Sequence, residues 1–471
     1  MAHADLREFM SKLEASGKLR RVTRQVDKDW EIAAVARIAF QSIPEPVRPA
    51  LLFENIKGYD TPVVLGVNGG SRSIYCMALE CEPQDVQRKW SESELRPIPP
   101  VLVDKGPTQE NVFKGENVDI TRLPIPTWTV GEDPSPYITA GCVVTKDPDS
   151  GVRNVGTYRV QIKGPRKLGL FINYLQGGRD HVEKNNSAGR PTPVAIVMGT
   201  DPVIGLVSVS RVQSDMDEFA VAGRLRGEAV QLVRCQTVDL EVPATAEVVI
   251  EGVIRANELE DEGPFGEYTG YMGPAAMSYV VDITCITHRN KPIVQAFLSQ
   301  MPPSESSCIR SIGRESTLFK HLKEDLRLPV RDVHLLEHGG AAGYLVVSIK
   351  KTHPVQPRTV MFACWAYAPQ FGKFTVVVDD DINIRDPNEV NWAMSFRVQP
   401  EADAFIMSGT AAVSLDPSQA AAEVRQEEST RRTSSKIGID ATRKHKFPPL
   451  ALPPREHLER VRRDWKQYGL D

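Results

Sequence analysis

The sequence predicts a mixed α/β and α+β protein in three parts: an N-terminal α/β part, a β-rich centre with a barrel-like sheet, and a C-terminal α/β part ending in a helix. Three observations predict it. At 471 residues the chain is too long for one ordinary core, so about two or three domains are expected. Prolines crowd between Pro97 and Pro136, which reads as an extended linker between domains. Many short apolar runs separated by turn residues follow the prolines, and helix and strand patterns alternate beyond about residue 300. These textures place the parts at 1–115, 116–300 and 301–471.

In the first part, Leu6, Phe9, Met10 and Leu13 share a helical face that ends at Gly17. A strand follows over 19–26, an amphipathic helix over 30–40, short strands over 50–53 and 63–67, and a turn over 69–73. In the second, strands are expected over 139–146, 159–163, 168–173, 193–199, 238–242, 246–254 and 280–287, with a helix over 217–226. In the third, a helix over 306–323 precedes strands over 333–337, 344–350 and 374–378; residues 360–366 fit a helix or a strand. This alternation implies a partly parallel sheet. The stretch 418–432 is polar and charged, and the terminal helix, 454–468, is polar enough to clasp a neighbouring subunit.

Bulk properties exclude several classes. A net charge of −4 without a large basic block before the tail gives no electrostatic case for nucleic acid. No apolar run is long enough to cross a membrane, and residues 1–20 lack a signal-peptide core. Seven cysteines with no CxxC spacing read as reduced thiols, so a soluble, cytoplasmic enzyme is expected.

The stretch Glu262-Gly263-Pro264-Phe265-Gly266-Glu267-Tyr268-Thr269-Gly270-Tyr271 is the chemical centre of the chain. Gly and Pro impose a shaped turn, which can aim two carboxylates into one pocket where environment splits their pKa values into acid and base roles. Flanking strands and interleaved aromatics favour a pocket wall over a solvated acidic loop. Arg159, in Asn154-Val155-Gly156-Thr157-Tyr158-Arg159, offers a donor fork for a carboxylate or phosphate. Ser208 and Ser210 precede the helix that begins near Asp217 and Glu218, and supply either phosphate donors or caps. Asn, Glu and phosphate oxygens suit Mg2+, Mn2+ or a monovalent ion better than zinc. Lys373, before Asp379-Asp380-Asp381, can reach a phosphate as a point charge. Serine-hydrolase, P-loop, dinucleotide and HExxH motifs are all missing from the sequence.

Four motifs in order, N-x-G-x-Y-R at 154–159, E-G-P-F-G-E at 262–267, F-x-K-F-x-V-V-V-D-D-D-x-N at 371–383 and S-K-I-G-I-D-A-T at 435–442, give nearly the whole chain a resemblance to the UbiD family of reversible decarboxylases, which includes ferulic acid decarboxylase. The resemblance implies a central split β-barrel of flavin-reductase type and a C-terminal part that drives homo-oligomerisation, as a dimer or hexamer. It implies prenylated FMN, supplied by a flavin prenyltransferase, with a divalent ion (Mn2+ or Mg2+) and a monovalent one (K+ or Na+). The expected reaction is reversible non-oxidative decarboxylation of an aromatic, heteroaromatic or α,β-unsaturated acid.

By the same resemblance, Glu267 donates the proton, Arg159 holds the substrate carboxylate or balances the acids, and Glu262 positions Arg159. Asn154, Gly156, Tyr158, Arg159, Gln176, Ser208, Ser210, Glu218 and Lys373 would hold the cofactor, with Asn154, Gln176 and Glu218 as metal ligands. The family's histidine ligand is replaced here by Gln176, with His181 as the alternative. Pocket variation is expected over 301–311 and 443–447. The basic run Arg443-Lys444-His445-Lys446 either faces the pocket, favouring a second carboxylate or a coenzyme thioester tail, or is a solvated loop. An FMN-dependent oxidoreductase and a non-catalytic flavin-binding subunit of a carboxylase complex are the rival readings.

Overall fold

The computed structural model describes residues 3–469 except 174–175, 211, 213–214, 412, 414 and 420–432. Arg211 and most of the polar stretch 418–432 therefore lie outside the described residues. The fold is mixed α/β, with three main sheets.

The helix Leu6–Ala15 buries Leu6, Phe9, Met10 and Leu13, and the Asp5 side chain caps it by accepting from the Glu8 amide. A four-stranded sheet follows in the order Leu19–Val22, Ala50–Phe53, Val63–Leu65, Val294–Ala296. Its last strand returns from nearly 230 residues downstream and pairs parallel with Val63–Leu65. The turn expected over 69–73 is corrected: the Ser71 side chain accepts from the Ile74 amide and starts the helix Arg72–Leu79, whose apolar face is buried.

The central sheet has nine strands in the path Tyr137–Ile138, Val160–Gly164, Lys167–Leu170, Ala276–His288, Val248–Glu262, Thr192–Met198, Cys142–Lys146, Arg153–Thr157, with Asn111–Lys114 added beside Ala276–His288. Its two end strands do not pair with each other, so the curled sheet stays open. Thr192–Met198 shows why the middle of this sheet reads as a continuous apolar run. Ala195 and Val197 join one apolar core, while Val194, Ile196 and Met198 join another on the opposite face.

The proline-rich passage is corrected from a linker to part of the sheets. Val101–Leu102 pairs with Gln231–Arg234, Asn111–Lys114 pairs with Ala276–His288, and Leu123, Ile125 and Trp128 are buried. Proline sets the local backbone here, but the intervening apolar side chains still find a core. The strand expected to stop near 254 runs on as Val248–Glu262, its polar outer half pairing with Ala276–His288 across a register shift.

The C-terminal sheet runs Val330–Leu335, Tyr344–Ile349, Phe374–Asp379, Thr433–Ala441, Ala404–Ala411, with its three central strands parallel. Residues 360–366 fall in the helix Gln356–Tyr367. The terminal helix Arg455–Arg463 buries none of its residues. The seven cysteines are unpaired, and among the described residues no helix is long and apolar enough to cross a membrane.

Candidate active site

The strand Val248–Glu262 delivers Glu262 to the edge of the central sheet, in register with Ala276 on the return strand. Gly263 then takes φ +86°, where a side chain would be strained, and the chain turns through Pro264. The Tyr137 hydroxyl accepts from the Gly263 amide at 3.1 Å and fixes the corner from a neighbouring strand. A short hairpin follows, Phe265–Gly266 pairing with Met272–Gly273, and the Glu267 amide closes its tip by donating to the Tyr271 carbonyl at 2.9 Å.

Arg159 enters from the link between Arg153–Thr157 and Val160–Gly164 and joins the two acids. Its Nε donates to Glu262 Oε1 and Oε2 at 2.9 and 3.2 Å, and its Nη2 donates to Oε2 at 2.6 Å. Its Nη1 donates to Glu267 Oε1 at 2.6 Å. The guanidinium lies 4.2 Å from the Phe171 ring centroid and 5.5 Å from that of Phe265, so aromatic faces hold its plane. Burial works against the Arg159 charge, but the two carboxylates outweigh it and its pKa rises. Glu262 is wholly buried. Glu267 retains some exposure, and burial raises its pKa while Arg159 and Arg310 pull it back. Among the described residues no hydrogen bond reaches Glu267 Oε2, so one oxygen is anchored and the other can carry a proton.

A second cluster surrounds the strand Arg153–Thr157. The Tyr158 hydroxyl accepts from Asn154 Nδ2 at 3.0 Å and from the Gly178 amide at 3.3 Å. Two glycines permit this packing: a Cβ on Gly156 would lie 2.2 Å from the Tyr158 hydroxyl, and one on Gly177 would lie 2.5 Å from Asn154 Oδ1. The start of the helix Gly177–Ser187 is thereby set against Asn154. Glu218 opens the helix Glu218–Arg226 and accepts from the Val155 amide at 3.0 Å. Burial pushes its carboxyl up to about 8, and among the described residues no cationic side chain offsets it. A buried carboxylate held to the strand that carries Asn154 fits a hard cation. Among the described residues no three His, Cys, Asp or Glu side chains gather as metal ligands, so a metal here depends on amide or phosphate oxygens.

The remaining expected residues have partners within the chain. The Gln176 side-chain Oε1 accepts from the Asn173 amide at 2.8 Å. His181 shares a hydrogen bond with Thr145 and lies 3.8 Å from Asp147. Ser208 and Ser210 are corrected from leading a helix to closing one: they donate to the carbonyls of Gly205 and Leu206, while Asp217 caps Glu218–Arg226. Ser208 still meets Thr157, at 2.7 Å. Lys373, expected at a phosphate, pairs with Asp416 at 2.8 Å and with Ser418 at 2.5 Å. The basic run is also engaged, Arg443 with Asp379 and Asp381 and Lys444 with Asp403 and Asp440. Sequence reasoning missed Tyr137, Phe171 and Arg310. Arg310 stands 4.4 Å over the Tyr268 ring, next to Glu267, and only its position within 301–311 pointed toward the pocket.

Family models described as 3-octaprenyl-4-hydroxybenzoate carboxy-lyase match in succession: its N-terminal domain at 10–94, its Rift-related domain at 101–302 and its C-terminal domain at 307–441. The chain belongs to the UbiD family. UbiD-class structures superimpose over almost its full length. The HmfF enzyme of Pelotomaculum thermopropionicum, in complex with FMN, is 36% identical with a TM-score of 0.85, over 96% of this chain and 98% of that one. An evolved dimeric form of the same enzyme, in complex with prFMN, gives 36% and 0.83 over the same shares. The vanillic acid decarboxylase of Sedimentibacter hydroxybenzoicus is 28% identical with a TM-score of 0.84, over 99% of this chain and 100% of that one. The uncharacterized protein sll0936 of Synechocystis sp. is 33% identical, over 99% of this chain and 96% of its own length. UbiD neighbours are thus carboxy-lyases, and this chain is an enzyme of that class.

Proposed function

We propose that this UbiD enzyme uses prenylated FMN for reversible, non-oxidative decarboxylation of an aromatic, heteroaromatic or α,β-unsaturated carboxylic acid. The observation that carries the reading is one guanidinium joining a wholly buried carboxylate to a second one whose pKa burial has raised. A flavin reductase has no need of that arrangement, and neither does a passive flavin carrier. When bound, prenylated FMN supplies the electron sink for the carbon that loses carbon dioxide.

The chain's own residues hold and move the proton. Glu262 takes both sides of the Arg159 fork and fixes its plane. Arg159 fixes Glu267 through Oε1, and Glu267 delivers its proton to the decarboxylated carbon from Oε2. In the reverse direction the same carboxylate removes the proton. Asn154 Oδ1 and Glu218 would hold the cofactor phosphate through a divalent ion, Mn2+ or Mg2+, with K+ or Na+ nearby. Gln176 Oε1 would join them through its second lone pair while accepting from the Asn173 amide, and His181 only through Nε2, because its Nδ1 is engaged with Thr145. The open sheet serves as a flavin-reductase-type split barrel, the divisions 1–115, 116–300 and 301–471 serve as domains, and the exposed terminal helix packs on a second copy in a cytoplasmic homo-oligomer.

The test is to co-produce the protein with a flavin prenyltransferase, measure absorbance and cofactor mass, and follow carbon dioxide release and hydrogen–deuterium exchange over a panel of aromatic and acrylic acids. Turnover without reductant supports the reading. Plain FMN that bleaches with NAD(P)H, and no turnover after reconstitution, would replace it with an oxidoreductase.

A further inference from the structure

Resting on the decarboxylase reading above, we infer that Tyr137 is a positioning residue that sets how Arg159 is divided between Glu262 and Glu267. The Arg159 guanidinium serves two carboxylates at once: Nε and Nη2 go to Glu262, and Nη1 goes to Glu267 at 2.6 Å. Glu262 is wholly buried, and a buried carboxylate has about four lone-pair sites that only the protein can fill. The Tyr137 hydroxyl gives it a donor besides Arg159. Burial, and then Glu262 through its charge and a hydrogen bond, push the Tyr137 pKa upward, as expected of a hydroxyl donating to an anion. The oxygen of the same hydroxyl accepts from the Gly263 amide at 3.1 Å. One buried group thus holds the side chain of Glu262 and the backbone of the next residue.

The surroundings of Tyr137 fix where that hydroxyl points. Tyr137–Ile138 pairs antiparallel with Val160–Gly164, and Ile138 lies opposite Val160, the residue that follows Arg159. The register that places Arg159 therefore also places Tyr137. The Tyr137 amide donates to the Pro126 carbonyl at 3.0 Å, and its carbonyl accepts from Trp128 Nε1 at 3.2 Å. Its ring centroid lies 4.4 Å from that of Phe265, which is itself 5.5 Å from the Arg159 guanidinium. The neighbouring charges make one more donor matter. Asp133 and Glu267 both act on Glu262 with like charge, while Arg159, Arg310 and Glu262 act on Glu267. Without the hydroxyl, Glu262 would draw Nη1 to itself, and Glu267 would lose the bond that anchors Oε1. A core position asks only for the ring; the buried hydroxyl is explained by its two partners.

Tyr137→Phe keeps the ring and removes the hydroxyl. In the cofactor-loaded protein, with an aromatic or acrylic acid that the wild type decarboxylates, kcat should fall about 10-fold while KM stays within about 2-fold, as for a bond to a charged group that never touches substrate. The alkaline limb of kcat should move to higher pH, because Arg159 then pulls less on Glu267. Exchange of the Arg159 guanidinium protons, followed by NMR of arginine-labelled protein, should quicken about 10-fold and needs no substrate. A ring-fluorinated tyrosine at position 137, whose hydroxyl is the stronger donor, should move the limb and the exchange the other way, and decides the matter if Tyr137→Phe does not fold. Unchanged kcat, limb and exchange in Tyr137→Phe would overturn the inference. So would a loss confined to melting temperature, or a rise in KM with kcat kept, since either makes the hydroxyl structural only. Failure of the decarboxylase reading shows separately: the wild type turns over no acid, while the Arg159 protons still respond to Tyr137→Phe.

Discussion

Replacing Glu267 with glutamine keeps the size of the side chain and removes its transferable proton. Arg159 retains its three contacts to Glu262, at 2.9, 3.2 and 2.6 Å, so the buried ion pair survives. The loss is the acceptor's charge at the 2.6 Å contact from Nη1, which changes from an ion pair to a cation–amide bond at a difference of about 1 kcal/mol. Relief of a partly desolvated carboxylate offsets some of that, so the melting temperature should move by no more than about 2–4 °C. Turnover should instead fall about 100- to 10,000-fold, or about 2.7–5.4 kcal/mol of transition-state stabilisation. The assay is carbon dioxide release and deuterium incorporation by the loaded variant, with absorbance to show that cofactor is retained. The pH profile adds an independent check. Burial raises Glu267 above its ordinary value of 4.5, so the acid form persists to higher pH and turnover falls as pH rises through the folded value. A raised folded pKa also means that its stabilising contribution is present below the unfolded value and is lost on the same rise, and the glutamine variant lacks this limb. Wild-type turnover in the variant, or an unchanged alkaline limb, would refute the proton-donor role.

Arg159→Met leaves Glu262 buried without its partner and should cost about 3–5 kcal/mol, read as a lower denaturant midpoint and abolished turnover. An unchanged midpoint would show that Glu262 has another counter-charge. Gly177→Ala puts a Cβ 2.5 Å from Asn154 Oδ1 and displaces that side chain, so cofactor retention should fall severalfold while the melting temperature changes little; full retention would remove Asn154 from the cofactor site. Chelation of divalent metal should likewise lower cofactor content, and Mn2+ should restore it. Retention of all cofactor after exhaustive chelation would leave Glu218 without the proposed ligand role.

Much of the fold was legible because local rules agreed with the tertiary result. The first helix shows its buried face at helical spacing, and Glu218–Arg226 follows directly from its Asp217 cap. Legibility failed where pairing overrode composition. The polar run 255–261 forms a strand because Ala276–His288 lies beside it, and the prolines between 97 and 136 concealed strands completed by distant partners. The helix Gly177–Ser187 was missed because its polar face carries little periodic signal.

The sequence by itself determined the chemical parts: a stiff glycine–proline turn bearing two acids, an arginine that stays charged, and amide and carboxylate oxygens suited to a hard cation. Only the tertiary structure decided which of these meet. Arg159 reaches Glu262 across 103 residues and Glu267 across 108, through a sheet whose register no local rule fixes. The same packing engaged Lys373, Arg443 and Lys444 in ion pairs while leaving Arg310 without one among the described residues. A charge's availability depends on its neighbours in space, and spacing along the chain does not record them.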